Sequence, residues 1–239
     1  MTPEPILITG VARRVGLHLA RTFLERDIPV IGTYRSERPA LDELAEAGVE
    51  LHRSDFYDES SLRSLTRAIV ERHGSLRALI HNASDWLAEG SELPAGDVMW
   101  RMMQVHVSAP YQLNLALEPL LLACAEPHAD IIHVGDYVSS RGSSKHIAYA
   151  ASKAAQDNLT LSFSARLAPK VKVNSIAPAL VMFNEDDDED YRRKARNKSL
   201  MQREGGLDEF RHAVDYLLDS SYVTGRVLPM DGGRHLRVA

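Results

Sequence analysis

The chain of 239 residues has one cysteine, Cys124, and only 6% aromatic residues. A single thiol cannot form an intramolecular disulfide or a thiolate metal cluster, so nothing in the sequence indicates an oxidising compartment. We expect Cys124 to be buried and unreactive. Basic residues are not in excess either, because 28 Lys and Arg stand against 33 Asp and Glu, for a net charge of −5. This balance argues against a nucleic-acid partner, which normally binds a basic patch.

Long apolar runs and export signals are also missing. The most apolar segment, 113–125, is interrupted by Glu118 and Pro119 and is too short to span a bilayer. The first five residues lack the cationic and apolar stretches of a secretory signal. We therefore expect a cytoplasmic location without membrane association. The histidines do not show the spacing of metal ligands, so we expect no metal.

The pattern of apolar residues predicts a single α/β domain over residues 1–239. Short apolar runs, suited to buried parallel strands, alternate with longer helical patterns, which predicts a doubly wound, Rossmann-like parallel sheet of seven strands. The predicted strands are 5–8, 29–34, 50–52, 78–81, 130–135, 172–176 and 225–228. The predicted helices include 16–25, 60–72, 98–122 and 149–167.

A loop with a glycine at each end follows the first strand and opens a helix. Gly10 permits a tight turn, and Gly16 permits the helix to pack closely on the strand. The N-terminus of the helix offers free N–H groups to a phosphate. The loop therefore suits the pyrophosphate of a dinucleotide, or it is an ordinary turn between a strand and a helix.

The end of the second strand indicates which dinucleotide would bind. NAD-specific sites normally place an Asp or Glu there, but this strand ends in Thr33-Tyr34-Arg35-Ser36. Arg35 and Ser36, with Arg13 or Arg14 nearby, suit a 2′-phosphate because guanidinium groups match phosphate geometry. We therefore expect NADP(H) as the cofactor. In the alternative interpretation, Arg35 is only a solvated charge at the end of the strand.

Two further motifs lie where chemistry is expected. Asn82-Ala83-Ser84 follows the fourth strand, while Tyr149 and Lys153 lie one turn apart on the same face of a helix. An ammonium beside a phenol favours the phenolate, which would lower the pKa of tyrosine from about 10. Such a tyrosine can exchange a proton with a substrate while a hydride moves. Taken alone, Tyr149 and Lys153 could also be a surface or packing pair.

Together with Asn174–Pro178 and Asp231-Gly232-Gly233, these motifs resemble the short-chain dehydrogenase/reductases over residues 5–237. The resemblance implies an NAD(P)-dependent oxidoreductase that forms dimers or tetramers, and we expect a homotetramer. It implies proton exchange by Tyr149 and binding of the nicotinamide ribose by Lys153. The other cofactor contacts that we expect are Gly10, Arg13, Arg14, Val15, Arg35, Ser36, Asp55, Phe56, Asn82, Ala83, Pro178, Leu180 and Val181.

Two departures from the family pattern point to the substrate. Arg14 stands where the family has a glycine, and Asp136 stands where it has a serine, 13 residues before Tyr149. A serine hydroxyl can donate to a ketone oxygen as that oxygen gains negative charge, whereas an ionised carboxylate would repel it. Asp136 instead suits a nitrogen heterocycle that offers N–H donors or must be protonated. In the alternative interpretation it only caps the loop that begins at Gly135.

Both departures resemble the pteridine reductases. Trp86 also matches, because those enzymes have an aromatic residue there that stacks the pterin against the nicotinamide, an arrangement that excludes water. Otherwise Trp86 covers the core. The implied substrate-binding residues are Arg14, Ser84, Trp86, Asp136 and Tyr149, and the implied catalytic residues are Tyr149, Lys153 and Asp136. Segments 145–155, 171–178 and 231–237 further resemble bacterial members that reduce 7,8-dihydromonapterin with NADPH and, less well, dihydrofolate.

Two other functions are compatible with the sequence. A reductase of 3-oxoacyl thioesters would share the motifs, although Asp136 argues against a ketone substrate. A non-catalytic NADP-binding sensor would share the glycine loop, although the presence of both Tyr149 and Lys153 argues against it.

Two positions allow both a structural and a functional interpretation. His106 stands where family members often have an asparagine whose backbone holds a water of the proton relay, yet a histidine within a helix is more often structural. The acidic run 185–190, followed by basic residues, predicts an exposed helix start, or else a lid over the site.

Overall fold

A computed structural model describes residues 3–237, which form a seven-stranded parallel sheet in the order β3-β2-β1-β4-β5-β6-β7. The strands are β1 (Ile6–Thr9), β2 (Val30–Tyr34), β3 (Glu50–Arg53), β4 (Ala78–His81), β5 (Ala129–Val134), β6 (Val171–Pro178) and β7 (Val227–Met230). The predicted fold class is confirmed. The strand order reverses between β1 and β4, and ligands bind at the carboxyl ends of strands at such a point.

Helices cover both faces of the sheet. They are α1 (Arg14–Leu24), α2 (Ala40–Glu46), α3 (Glu59–Arg72), α4 (Ala95–Met103), α5 (Ala109–Leu122), α6 (Ile147–Leu167), α7 (Glu189–Arg196) and α8 (Leu207–Asp219). The predicted helix 98–122 consists of α4 and α5 joined by a π-helical turn, Gln104–Ser108. Such turns occur frequently at functional sites.

Alternate residues of each strand contribute to two separate cores. On one face, residues such as Leu7 and Leu79 pack with α3, α4, α5 and α6. On the other face, residues such as Ile6 and Ile80 pack with α1, α2 and α8. Because both faces are covered, the strands are apolar throughout rather than alternately apolar and polar, which is why their sequence pattern predicted a parallel sheet.

A buried ion network lies at the amino ends of the central strands, opposite the edge where ligands bind. Asp130 is fully buried, accepts a hydrogen bond of 2.6 Å from Arg77 Nη1 and lies 3.0 Å from Lys172 Nζ. Lys172 also donates to the carbonyls of Leu217, at 2.7 Å, and Ser220. The network thereby attaches the C-terminal end of α8 to β5 and β6.

The single thiol lies just beyond α5. Cys124 is 4% exposed, and its Sγ is 2.8 Å from the carboxylate of Glu4. Burial raises the pKa of the Cys124 thiol to about 11. The prediction of a buried thiol is therefore confirmed, and its raised pKa disfavours the reactive thiolate. No helix in the described part of the chain is both long and apolar enough to cross a bilayer.

Three histidines are buried near the carboxyl edge of the sheet. His81 and His133 are register partners on β4 and β5, and their rings stack with centroids 5.0 Å apart. The ring of His81 contacts Asn114 at 2.7 Å, and that of His133 contacts Thr160 at 2.8 Å. Burial lowers the pKa of His81 to about 4 and lowers the pKa values of His133 and His106 well below the usual range. All three side chains are therefore neutral at neutral pH.

We expect the free energy of unfolding to decrease steeply as the pH falls below about 6.5. Each of these histidines has a lower pKa in the folded chain than in the unfolded chain, so the unfolded chain binds more protons between about pH 6.5 and pH 4. The slope would reach roughly 4 kcal/mol per pH unit if all three took up a proton only on unfolding. The raised pKa values of the buried Asp130 and Asp157 act in the opposite direction. Denaturant unfolding at a series of pH values measures the slope. His133→Asn should make it shallower, and an unchanged slope would contradict the assignment.

Candidate active site

The glycine loop is held in place by the carboxyl end of β4. Gly10 has a φ of +78°, and a Cβ at Gly16 would lie 2.2 Å from the carbonyl oxygen of Gly10, so neither position accommodates a side chain. The Asn82 amide donates to the carbonyls of Thr9, at 3.0 Å, and Gly10, at 2.9 Å. The backbone N–H of Ala83 donates to Thr9 Oγ1 at 2.9 Å. Asn82 and Ala83 thus shape a narrow cradle at the N-terminus of α1.

The structure explains why the family pattern has a glycine at position 14. Arg14 adopts a positive φ of +52°, a conformation that is strained for residues other than glycine. Its guanidinium group donates to the side chain of Asn184 and, at 3.3 Å, to the carbonyl of Met182. Arg14 therefore connects the glycine loop to the segment that follows β6.

Four arginines converge beside this loop. Burial, together with the positive charges of Arg38 and Arg14, lowers the pKa of Arg13. Arg35, at the end of β2, donates to the carboxylate of Asp85 at 3.0 Å. Repulsion among these guanidinium groups favours binding of an anion, and the cradle beside them fits a dinucleotide that carries an additional phosphate.

Tyr149 and Asp136 meet at the carboxyl ends of β4 and β5. The Tyr149 hydroxyl donates to Asp136 Oδ2 at 2.8 Å. The other carboxylate oxygen, Oδ1, accepts from the backbone N–H of Val138 at 2.9 Å. Asp136 therefore caps the loop after β5 with one oxygen but does not only cap it, because the other oxygen contacts the tyrosine. Its role toward a nitrogen heterocycle stays a prediction.

The expected lowering of the Tyr149 pKa is wrong for this arrangement. Burial and the negative charge of Asp136 raise the pKa of Tyr149 well above its usual value. Lys153 is fully buried and donates to the Val134 carbonyl at 2.6 Å and to Gln156 Oε1 at 3.2 Å. Its ammonium lies 5.8 Å from the centroid of the Tyr149 ring, and burial lowers the pKa of Lys153 to about 8. Tyr149 is consequently a protonated phenol, suited to donate rather than to accept a proton.

An exposed aromatic surface lies at the N-terminus of α6, three residues before Tyr149 in the chain. Trp86 is 61% exposed, and its ring stacks on that of His146 with centroids 4.0 Å apart. Trp86 therefore does not cover the core. The Glu89 carboxylate accepts from the backbone N–H groups of Ile147 and Ala148, at 2.7 and 2.8 Å. These contacts attach the loop after β4 to the N-terminus of α6, immediately before Tyr149.

This geometry agrees with comparisons to known proteins. A family model described as enoyl-(acyl carrier protein) reductase matches residues 10–235. The dihydromonapterin reductase of Klebsiella pneumoniae is 54% identical over 235 residues, 98% of each chain. The dihydromonapterin reductase of Escherichia coli K12 is 53% identical over the same shares. The chain belongs to the short-chain dehydrogenase/reductase family.

Solved structures share the fold of this chain. The FolM alternative dihydrofolate reductase 1 of Brucella canis, complexed with NADP, has a TM-score of 0.87 at 24% identity and covers 100% of this chain and 96% of that chain. RhlG of Pseudomonas aeruginosa in its NADP complex has a TM-score of 0.88 at 26% identity, with coverage of 98% and 97%. The first of these two likenesses shows the fold alone.

The other predicted cofactor contacts of this family member lie along the same edge. Ser36 is exposed beyond β2, and Val15 is partly buried in the first turn of α1. The carbonyls of Leu180 and Val181 accept from Gly205 and Gly206, which fixes the segment after Pro178. Asp55 Oδ1 accepts from the N–H of Tyr57 at 3.0 Å. The Phe56 side chain is 6% exposed within the core, so only its backbone could border a ligand.

The acidic run forms a helix start, as one of the two interpretations predicted. Asp188 accepts from the N–H of Tyr191 at 2.7 Å and caps α7, whose first turn contains Glu189 and Asp190. Because Arg14 binds Met182 and Asn184, the segment that leads into α7 borders the glycine loop. This position is also compatible with a lid.

Asp85 and Glu89 are two site carboxylates that the sequence pattern does not predict. Asp85 accepts from Arg35 and, at 2.9 Å, from the hydroxyl of Tyr57. No local sequence pattern predicts either carboxylate, because their partners are far away in the chain. Arg35 and Tyr57 are 50 and 28 positions from Asp85. The N–H groups that Glu89 binds are 58 and 59 positions from it. In residues 3–237 no group of three or more His, Cys, Asp or Glu side chains is arranged to hold a metal ion.

Proposed function

We propose that this chain is a single-domain, NADPH-dependent dihydromonapterin reductase that forms the tetrahydro product and also reduces dihydrofolate more weakly. The hydrogen bond between Tyr149 and Asp136 carries the proposal, since it places a carboxylate beside the proton-donating group. A carboxylate disfavours a ketone oxygen and favours a nitrogen heterocycle. The identity of 54% with a dihydromonapterin reductase over nearly the whole chain supports the same substrate.

The cradle and the arginine cluster account for cofactor binding. When bound, NADPH supplies a hydride to C6 of the dihydropterin. The N-terminus of α1 would hold its pyrophosphate, Arg13, Arg35 and Ser36 its 2′-phosphate, and Lys153 its nicotinamide ribose. The remaining residues that we assign to this site are Gly10, Arg14, Val15, Asp55, the Phe56 backbone, Asn82, Ala83, Tyr149, Pro178, Leu180 and Val181.

The pterin would lie against the exposed face beside Tyr149. Trp86 offers an indole ring that can stack on a flat bicycle and keep water away from the hydride path. Ser84 and Asp136 both lie within hydrogen-bonding reach of the Tyr149 hydroxyl, and Asp136 accepts from it at 2.8 Å. Arg14 would hold both a cofactor phosphate and the substrate.

Tyr149 supplies the proton that N5 of the pterin gains. Its raised pKa keeps the phenol protonated through the neutral range. Asp136 accepts the O–H at 2.8 Å and so fixes the position of that proton. The charge of Lys153, buried below the tyrosine, favours the phenolate that remains after proton transfer.

The direct test follows the loss of NADPH absorbance with 7,8-dihydromonapterin, 7,8-dihydrobiopterin, dihydrofolate and an acetoacetyl thioester, each repeated with NADH. We expect the fastest oxidation with dihydromonapterin and NADPH. If only the thioester reacted, the chain would be a carbonyl reductase. Cofactor binding without turnover of any substrate would support a sensor instead.

Removal of the Asp85 charge is expected to tighten NADPH binding. Asp85 pairs with Arg35, so its negative charge opposes a 2′-phosphate on the same guanidinium group. We expect Asp85→Asn to lower the Kd of NADPH by about 3- to 10-fold and Arg35→Ala to raise it, as an exposed charge pair is worth about 1 kcal/mol. Fluorescence titration measures both values. NADH is the control, because it lacks the phosphate, and an equal change for NADH would contradict the role of Arg35.

Assembly as a cytoplasmic homotetramer is part of the proposal. Tyr111 on α5 and Leu161 on α6 are 48% and 54% exposed, and Tyr111 lies beside Phe163, so the two helices share an exposed apolar face. Faces of this kind commonly mediate association between subunits. A monomer in light scattering at micromolar concentration would contradict the proposed assembly.

A further inference from the structure

His106 occupies an unusual position in the long helix beside the site. It lies in the π-helical turn between α4 and α5, where the additional residue displaces the helix from regular geometry. Its side chain is completely buried between two serines, with Nδ1 2.8 Å from Ser152 Oγ and Nε2 2.8 Å from Ser84 Oγ. The His106 ring also meets the Tyr149 ring edge to face, with centroids 5.3 Å apart.

The hydrogen bonds around His106 determine which ring nitrogen carries the proton. The hydroxyl of Ser152 donates its only hydrogen to the backbone carbonyl of Tyr149 at 2.7 Å. Ser152 Oγ must therefore accept from His106, so Nδ1 carries a hydrogen. Burial and the nearby charge of Lys153 lower the pKa of His106 well below its usual value, so the ring is neutral and Nε2 has a free lone pair.

This tautomer in turn fixes the direction of the Ser84 hydroxyl. Nε2 can only accept, so the hydrogen of Ser84 points toward His106 at 2.8 Å. Two other acceptors are within reach: the Asp85 carbonyl, 3.3 Å away within the loop of Ser84, and the Tyr149 hydroxyl oxygen. The first is exposed and the second already has a hydrogen bond to Asp136, whereas Nε2 of His106 has only Ser84 as its donor. With its hydrogen used in this way, Ser84 has only lone pairs left for a ligand.

We infer that His106 is a positioning residue that makes Ser84 a hydrogen-bond acceptor toward the pocket and thereby selects substrates with N–H or amino donors. The inference rests on the proposed function and deepens it. Ser84 and Asp136 flank Tyr149, and both then present acceptors to a ligand. A dihydropterin edge, with its ring N–H and amino groups, satisfies them, whereas a ketone offers only a further acceptor and leaves them unpaired.

A double-mutant cycle separates positioning from support of the fold. The variants are His106→Leu, Ser84→Ala and the combination, each assayed with NADPH and 7,8-dihydromonapterin. We expect each single change to lower kcat/KM about 10-fold or more, chiefly through KM, since a buried acceptor loses its partner. When Ser84 is already alanine, adding His106→Leu should lower kcat/KM by no more than about twofold, because the hydroxyl through which His106 acts is absent.

Two controls keep the result interpretable. His106→Gln can still accept from Ser84, because its longer side chain places the amide oxygen near the position of Nε2, so we expect it to recover most of the activity that His106→Leu loses. Thermal unfolding and the Kd of NADPH show whether each variant is folded. If the losses multiply in the double variant, or if His106→Gln is as poor as His106→Leu, the inference is wrong.

Failure of the proposed function can be recognised separately. If the wild-type chain reduces no dihydropterin, the proposed function is wrong. The same cycle is therefore also measured as the binding of 7,8-dihydromonapterin to the protein with NADP⁺ present, read from tryptophan fluorescence. If the two single variants weaken binding and their effects on the Kd are not additive in the double variant, the role of His106 is supported. Additive effects, or no change in the Kd, overturn it.

Discussion

Asp136→Asn is expected to lower kcat/KM for 7,8-dihydromonapterin by roughly 10²- to 10³-fold, the range found when a preorganised electrostatic group is removed from an active site. The amide is nearly the same size as the carboxylate and can still accept from Val138, so the loop after β5 should keep its shape. Only the negative charge is lost. That charge orients the Tyr149 hydroxyl and stabilises a pterin that is gaining a proton. Initial rates at several substrate concentrations measure the change.

Tyr149→Phe provides the matched comparison. The two residues form one hydrogen-bonded unit, so the double variant should be little slower than the slower single variant. NADPH affinity should stay within about twofold for Asp136→Asn, because the carboxylate binds the tyrosine rather than the arginine cluster. Unchanged turnover and an unchanged pH profile in Tyr149→Phe would remove Tyr149 from the mechanism.

Asp130→Asn is expected to lower the free energy of unfolding by about 3–5 kcal/mol. Asp130 is fully buried between Arg77 and Lys172, and its neutralisation leaves two cations without a counter-charge. For a chain of this length the loss corresponds to a decrease in Tm of roughly 10 °C. Thermal and urea unfolding measure it. Turnover below the transition should change little, because the network lies at the opposite end of the strands from Tyr149.

The exposed pair between Arg21 and Glu43 is a suitable control. These side chains are 49% and 65% exposed, so water screens their charges. We expect Glu43→Gln to cost less than about 1 kcal/mol. Similar losses in Glu43→Gln and Asp130→Asn would show that burial does not determine the contribution of an ion pair in this fold.

The sheet could be predicted from the sequence because strands buried on both faces must be apolar throughout. Such runs mark their own positions, and β4 was predicted with its observed ends, 78–81. The position of β7 was predicted less accurately: it begins at Val227 rather than at residue 225. Pro229 and its partly exposed neighbours make the apolar run of this strand less distinct. The π-helical turn could not be predicted, because one additional residue hardly changes the apolar periodicity of a long helix.

The chemistry of the site could be predicted only where all the residues of a motif lie in one segment of the chain. The spacing of Tyr149 and Lys153 on one helix face is of this kind, as is the glycine loop. The pKa of Tyr149 was predicted in the wrong direction because burial, which raises it, depends on the assembled fold. Asp85 and His106 acquire their partners from distant segments, so only the structure reveals them.

The thiol chemistry of Cys124 has a practical use for labelling. A pKa of about 11 and almost complete burial keep it from reacting with thiol-directed dyes near neutral pH. A cysteine introduced in place of Tyr191, which is 50% exposed on α7, should therefore accept a fluorophore in the otherwise native chain. The emission of that dye would show directly whether the segment beside Arg14 changes its position when cofactor and pterin bind.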